Sequence, residues 1–187
     1  MGGVGAGTGE GGTAAGGSAA AYPVTAAGEA MVKTLVAAHG LLRRDLDSLD
    51  ETLRLLASGD AARVSEVRGR VDALSMRQAA WQLRSFCETY CQTVHAHHSI
   101  EDFRIFPAVL GVAPELAPIV DRLTADHVEL GRRLDTLMSS LDALPGPEPV
   151  WKAAQDAVRE LGELLAEHLG LEEERILPHL GRLPDWV

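Results

Sequence analysis

Two segments of this chain repeat one another without a gap. AAHGLLRRDLDSL, around His39, superposes on ADHVELGRRLDTL, around His127. The histidines coincide, and so do Leu42 with Leu130, Arg44 with Arg132, Leu46 with Leu134, Asp47 with Asp135 and Leu49 with Leu137. A second pair repeats as well: His97-x-x-x-Glu101 leading to Phe106-Pro107 matches His168-x-x-x-Glu172 leading to Leu177-Pro178. The His39 to His97 interval exceeds the His127 to His168 interval by the length of Ser58 to Leu74, a weakly patterned stretch interrupted by Gly69, so the insertion falls outside the repeated unit. The chain is thus expected to fold as two hairpins of one design.

Each arm of those hairpins reads as a helix. From about Thr25 to Ala57, Val32, Leu35, Val36, Leu42, Leu46, Leu49 and Leu53 recur at three- and four-residue intervals, and Gly59-Asp60 marks the end. A second helix opens with Ser75 as N-cap and Gln78 three residues on. It runs through Trp81, Leu83, Phe86, Tyr90, Val94 and His97 to about Phe106, where Pro107 kinks or stops it. A third begins near Pro114, where a proline is tolerated in the first turn, and carries Leu116, Ile119, Leu123, Leu130, Leu134 and Leu137 up to Pro145-Gly146-Pro147. The last runs from near Pro149 to Leu177. Four long amphipathic helices predict an all-α fold, an up-down-up-down antiparallel four-helix bundle.

Composition agrees. Of 187 residues 46% are apolar but only 4% aromatic, so the core is built from Leu, Val, Ile and Ala, as suits helix-on-helix packing. One domain, residues 23–187, accounts for the length. Residues 1–22 are mainly Gly, Ala, Ser and Thr; they cannot offset their ordering entropy by burial and are expected to form a disordered tail. A net charge of −10 repels nucleic-acid phosphates and anionic lipid, so neither is expected as a partner. There is no apolar run of membrane-spanning length and no signal peptide at the start, which points to the cytoplasm. Cys87 and Cys91, one helical turn apart, are expected to be reduced thiols, because a bridge inside a regular helix is strained.

The chemistry lies on the apolar stripes. Residues four apart on a helix differ by about 40° and sit one turn above one another. His97 and Glu101 therefore point into one space, as do His168 and Glu172, and His39 and His127 lie on the stripes of their own helices. A single inward histidine is usually a satisfied core residue. Four histidines and two carboxylates, with no Lys or Arg on the stripes at that level, are another matter, since each ionised acid would cost several kcal/mol if left unpaired. Cations are the simplest remedy, and imidazole with carboxylate suits iron, manganese or zinc. The predicted metal ligands are His39, His97, Glu101, His127, His168 and Glu172. His98 and Asp102 form a competing four-residue pair about 100° to 140° from the stripe, predicting a place at the bundle surface where Asp102→Ala would alter metal occupancy little. His98, as a boundary residue, and Tyr90, as a core residue on the His97 stripe, are noted as possible supports of the site. His95 faces away, and no metal role is argued for His179.

These motifs resemble the hemerythrin-like, or HHE cation-binding, family, whose pattern of H, HxxxE, H and HxxxE on successive helices is met by His39, His97 to Glu101, His127 and His168 to Glu172 over about residues 25–180. The resemblance implies two non-heme iron ions, oxo- or hydroxo-bridged, with zinc or manganese as alternatives. It puts His39 and His97 on one ion, His127 and His168 on the other, and Glu101 and Glu172 between them. Oxygen-carrying hemerythrins have a fifth histidine one turn after the third, where this chain has Gly131. The implied function is binding or sensing of dioxygen, nitric oxide or peroxide at an open dinuclear centre. The alternative is a di-iron oxidoreductase that decomposes peroxide, as a catalase does, or reduces nitric oxide. A metal-free structural bundle and a zinc-binding interaction module are a third possibility.

Overall fold

The computed structural model describes residues 23–58 and 76–183 of the chain. The tail expected over residues 1–22, the insertion after Ser58 with its Gly59-Asp60 stop, and the Ser75 cap with the side chain of Gln78 lie outside the described residues. Helix α1 spans Ala26–Ala57, α2 Met76–Ile100, α3 Phe106–Val112, α4 Ala117–Asp142, α5 Glu148–Arg175 and α6 Leu177–Leu180. Among the described residues there is no strand.

The long helices pack in a ring, α1 against α2 and α5, and α4 against α2 and α5, so that consecutive long helices lie side by side. This is the four-helix bundle. The N-terminus of α1 is clamped to the end of the described chain. Thr25 caps the helix by accepting from Gly28 N, its hydroxyl donates to Leu183 O at 2.6 Å, and its N–H donates to Gly181 O. Gly28 passes so close that a Cβ there would sit 2.3 Å from the Gly181 carbonyl oxygen.

The interior consists of two apolar blocks. One contains Leu42, Leu46, Leu83, Val94, Leu130, Leu134, Leu161 and Leu165; the other contains Leu35, Ile105, Phe106, Leu123 and Ile176. On every long helix the step from one block to the other falls at a residue of the predicted ligand set. Leu35 and Leu42 flank His39, Val94 and Ile105 flank His97 and Glu101, Leu123 and Leu130 flank His127, and Leu165 and Ile176 flank His168 and Glu172. Val36 and Trp81, although on the apolar periodicity, are exposed at the edges of their stripes. Cys87 and Cys91 are free, buried thiols with sulfurs 3.8 Å apart.

Of the two outcomes expected at Pro107, a kink or a stop, the stop does not occur. The second helix widens into a π-helical turn over Glu101–Ile105, in which Phe106 N donates to Glu101 O, and then continues to Val112. Proline offers no N–H and crowds the preceding turn, and one extra residue in the ring accommodates it. The inserted residue also lets the neighbours Ile105 and Phe106 both enter the core.

Candidate metal centre

Between the two apolar blocks lies a layer of buried polar side chains: His39, His98, Glu101, His127, His168 and Glu172, with His97 at its edge. All six residues predicted to be ligands meet there. His97 Nε2 is 3.0 Å from Glu101 Oε1; His39 Nε2 is 3.8 Å from the same oxygen and 3.4 Å from Glu172 Oε2. On the other side, His127 Nε2 is 3.5 Å from Glu101 Oε2 and 3.2 Å from His168 Nε2. Glu101 thus reaches toward both histidine pairs, one with each oxygen.

His98 differs from its predicted place. It is 4% exposed rather than at the surface, and its ring stacks on His127 with centroids 4.0 Å apart and planes at 10°. The reason is angular. With His97 at zero, Glu101 lies at about 40° and His98 at about 100°, so the carboxylate bisects the two rings. Because α2 packs against both α1 and α4, its interior sector is wide enough for His97 to turn toward His39 while His98 turns toward His127. Tyr90, seven residues before His97 and so about 10 Å along the helix, is not drawn into the layer. It lies in the apolar block that also holds Cys87 and Cys91, and its buried hydroxyl has no hydrogen-bond partner among the described residues. His95 is exposed, and His179 belongs to α6, beyond the layer.

Two carboxylates brace outer nitrogens by hydrogen bonds, and a third lies near one without bonding it. The Nδ1–H of His39 donates to Glu173 Oε1 at 2.9 Å, and Arg43 donates to that oxygen at 2.7 Å. The Nδ1–H of His127 donates to Asp102 Oδ1 at 2.9 Å, and Asp126 Oδ2 lies 3.8 Å from His168 Nδ1. These contacts leave the Nε2 atoms of His39 and His127 facing the centre, the arrangement by which outer carboxylates fix the tautomer of metal-binding histidines. Asp102 is therefore no bystander, contrary to the sequence expectation. Asp102 and Glu173 occupy the same place in the internal repeat, each directly following the inward glutamate of its own hairpin and each bracing the first histidine of the other hairpin, His127 and His39. An acid directly after each HxxxE was the signal in the sequence that could have revealed both.

The polar atoms of the layer are not satisfied by one another. Burial opposes a charge on His39, but the neighbouring carboxylates of Glu101 and Glu172 and the hydrogen bond to Glu173 outweigh it and push the imidazole up to about 10. Burial together with the neighbouring His127 drives His98 down to about 2 and His168 down to about 3. Burial raises the Glu172 carboxyl; Glu101, equally buried, is held below the usual carboxylate range by the attraction of the His127, His39 and His97 imidazoles beside it. The Nε2 atoms of His39, His97 and His98 and both oxygens of Glu101 and Glu172 are buried without a hydrogen-bond partner. So many orphaned acceptors and imidazole nitrogens at one level call for cations. Two groups meet the requirement, each with its donor atoms within 4.8 Å of one another: His39, His97, Glu101 and Glu172, and His98, Glu101, His127 and His168.

The hemerythrin HHE cation-binding domain model matches residues 30–180, most of the chain. The chain belongs to the hemerythrin family. Comparison with curated proteins and with solved structures gave no match. A hemerythrin domain binds metal cations, and in this one the His/Glu layer is the place with the donors to do so. No described helix of this hemerythrin domain is long and apolar enough to cross a membrane.

Proposed function

We propose that this hemerythrin domain holds two non-heme iron ions and uses them to bind or sense dioxygen, nitric oxide or peroxide. In this reading His39 and His97 serve one ion, His127 and His168 the other, and Glu101 and Glu172 lie between the two. The observation that carries it is the enclosed layer of orphaned imidazole nitrogens and carboxylate oxygens. Mixed nitrogen and oxygen donors with shared carboxylates favour iron over a thiolate-seeking metal, and glutamates and histidines projecting inward from all four helices are how bundles build dinuclear sites.

When bound, such ions supply redox-active Lewis-acid centres with positions left for a small ligand. The chain's own part is selection and support. His39, Glu101, His168 and Glu172 are fully buried and His97 is only 10% exposed, so the layer is shielded from large molecules. Glu173 and Asp102 hold the rings in register, and the leucine blocks on both sides keep bulk water out.

Iron quantification on protein purified without added metal, together with optical spectra under air, peroxide and nitric oxide, tests the reading. About two irons per chain and a reversible spectral change without turnover are expected. Zinc without iron, or no metal, overturns it. Sustained consumption of peroxide or nitric oxide that is lost in His127→Ala would replace the binding role by the oxidoreductase one.

A further inference from the structure

We propose that His98 is a fifth imidazole ligand, so that the ion between His127 and His168 takes three nitrogens while the ion between His39 and His97 takes two. The inference rests on the dinuclear reading above and goes beyond the H, HxxxE, H, HxxxE pattern, which gives two histidines to each ion.

Three observations carry it. First, His98 is 4% exposed and its Nε2 is buried with no hydrogen-bond partner, although a neutral imidazole left unpaired in a core costs free energy. Second, a donor atom of His98 lies within 4.8 Å of donor atoms of Glu101, His127 and His168, and its ring is 4.0 Å from that of His127 and 5.3 Å from that of His168. Third, the internal repeat gives the control. His97-His98 aligns with His168-Leu169, and Leu169 is also buried, at 0% exposure. The same position in the two hairpins thus faces the interior in both, carrying a metal-binding ring in one and a hydrocarbon in the other. Packing alone would be served by leucine twice.

The consequence is an asymmetric centre. Gly131 replaces the third-helix histidine that crowds one ion in oxygen carriers, and a Cβ at Gly131 would meet His95 Cε1 at 3.5 Å rather than a ligand. His98 restores the imbalance from the second helix. With Glu101 common to both groups and Glu172 in the His39–His97 group, one ion would be served by three imidazoles and one carboxylate and the other by two imidazoles and two carboxylates, so the two would differ in donor chemistry.

The test loads the full chain anaerobically with iron(II), and separately with cobalt(II). Wild type, His98→Leu and, as an exposed-histidine control, His95→Ala are compared. His98→Leu copies Leu169 and preserves apolar packing, and melting in chelator confirms that it folds. Wild type should bind two ions per chain, and isotopically enriched iron should give two unequal Mössbauer signals. In His98→Leu one ion should be weakened by about 100-fold or more, the upper end of what loss of a mere supporting residue costs, with its cobalt absorption changed and the other ion untouched. His95→Ala should match wild type. Two ions of unchanged affinity and spectrum in His98→Leu overturn the inference while leaving the dinuclear reading intact. Absence of bound metal from the wild type overturns both.

Discussion

The hydrogen bonds from His39 to Glu173 and from His127 to Asp102 give a sharp prediction, because each holds one imidazole of a different donor group. Glu173→Ala frees the His39 ring, and Asp102→Ala frees that of His127. Removing an outer carboxylate from a metal-binding histidine typically weakens the metal by about 10- to 100-fold, or about 1.4–2.7 kcal/mol. The charge-assisted hydrogen bond lost is of the same size, about 1.5–3 kcal/mol. Both carboxylates are partly exposed, 32% for Glu173 and 30% for Asp102, so water replaces part of the loss and the lower half of the range is expected. Competition between the protein and a chelator of known affinity, with iron(II) or cobalt(II), reads this directly. Asp102→Ala should weaken one binding step and Glu173→Ala the other, and the double variant should weaken both. Arg43→Ala should have a smaller effect, since it removes only the anchor of Glu173 and leaves the bond to His39 in place. Unchanged affinity in both single variants would refute the bracing role, and loss of the same step in both would refute the assignment of the two histidines to different ions.

Glu101 belongs to both donor groups and Glu172 to one, so Glu101→Ala should reduce bound metal to well under one ion per chain by elemental analysis, while Glu172→Ala retains more; the reverse order would contradict the geometry. Gly28→Ala forces a Cβ onto the Gly181 carbonyl, and overpacking of this kind costs about 1–3 kcal/mol, visible as a lower midpoint in denaturant with metal binding unchanged in stoichiometry. The metal-free protein should be most stable near pH 6.5 as far as the site histidines decide it. His98 and His168 have folded values of about 2 and about 3, below the ordinary 6.5, so their contribution is present above 6.5 and is lost as pH falls toward those values. His39, at about 10, contributes fully below 6.5 and loses that contribution as pH rises toward 10. Denaturant melts in chelator should therefore show His98→Leu flattening the acid limb by up to about 1.4 kcal/mol per pH unit, one proton's worth; an unaltered slope would refute the account.

Much of this protein was settled by covalent spacing. Helical periodicity fixes which side chains share a stripe whatever the neighbours do, so the four long helices and the inward direction of His39, His97, Glu101, His127, His168 and Glu172 could be read from the chain, and the repeat fixed their common level. How wide each helix's interior sector is depends on how many helices flank it, and that only packing decides. Because α2 lies against both α1 and α4, His97 can turn toward His39 while His98 turns toward His127, so His98, assigned to the surface from a single stripe, lies inside. The bracing of His127 by Asp102 and of His39 by Glu173 joins residues on different helices, and no periodicity along one helix encodes such a contact. The π-helical turn at Glu101–Ile105 was likewise decided in three dimensions, where continuing the helix through Pro107 and burying Ile105 and Phe106 together outweighed the regular hydrogen-bond ladder.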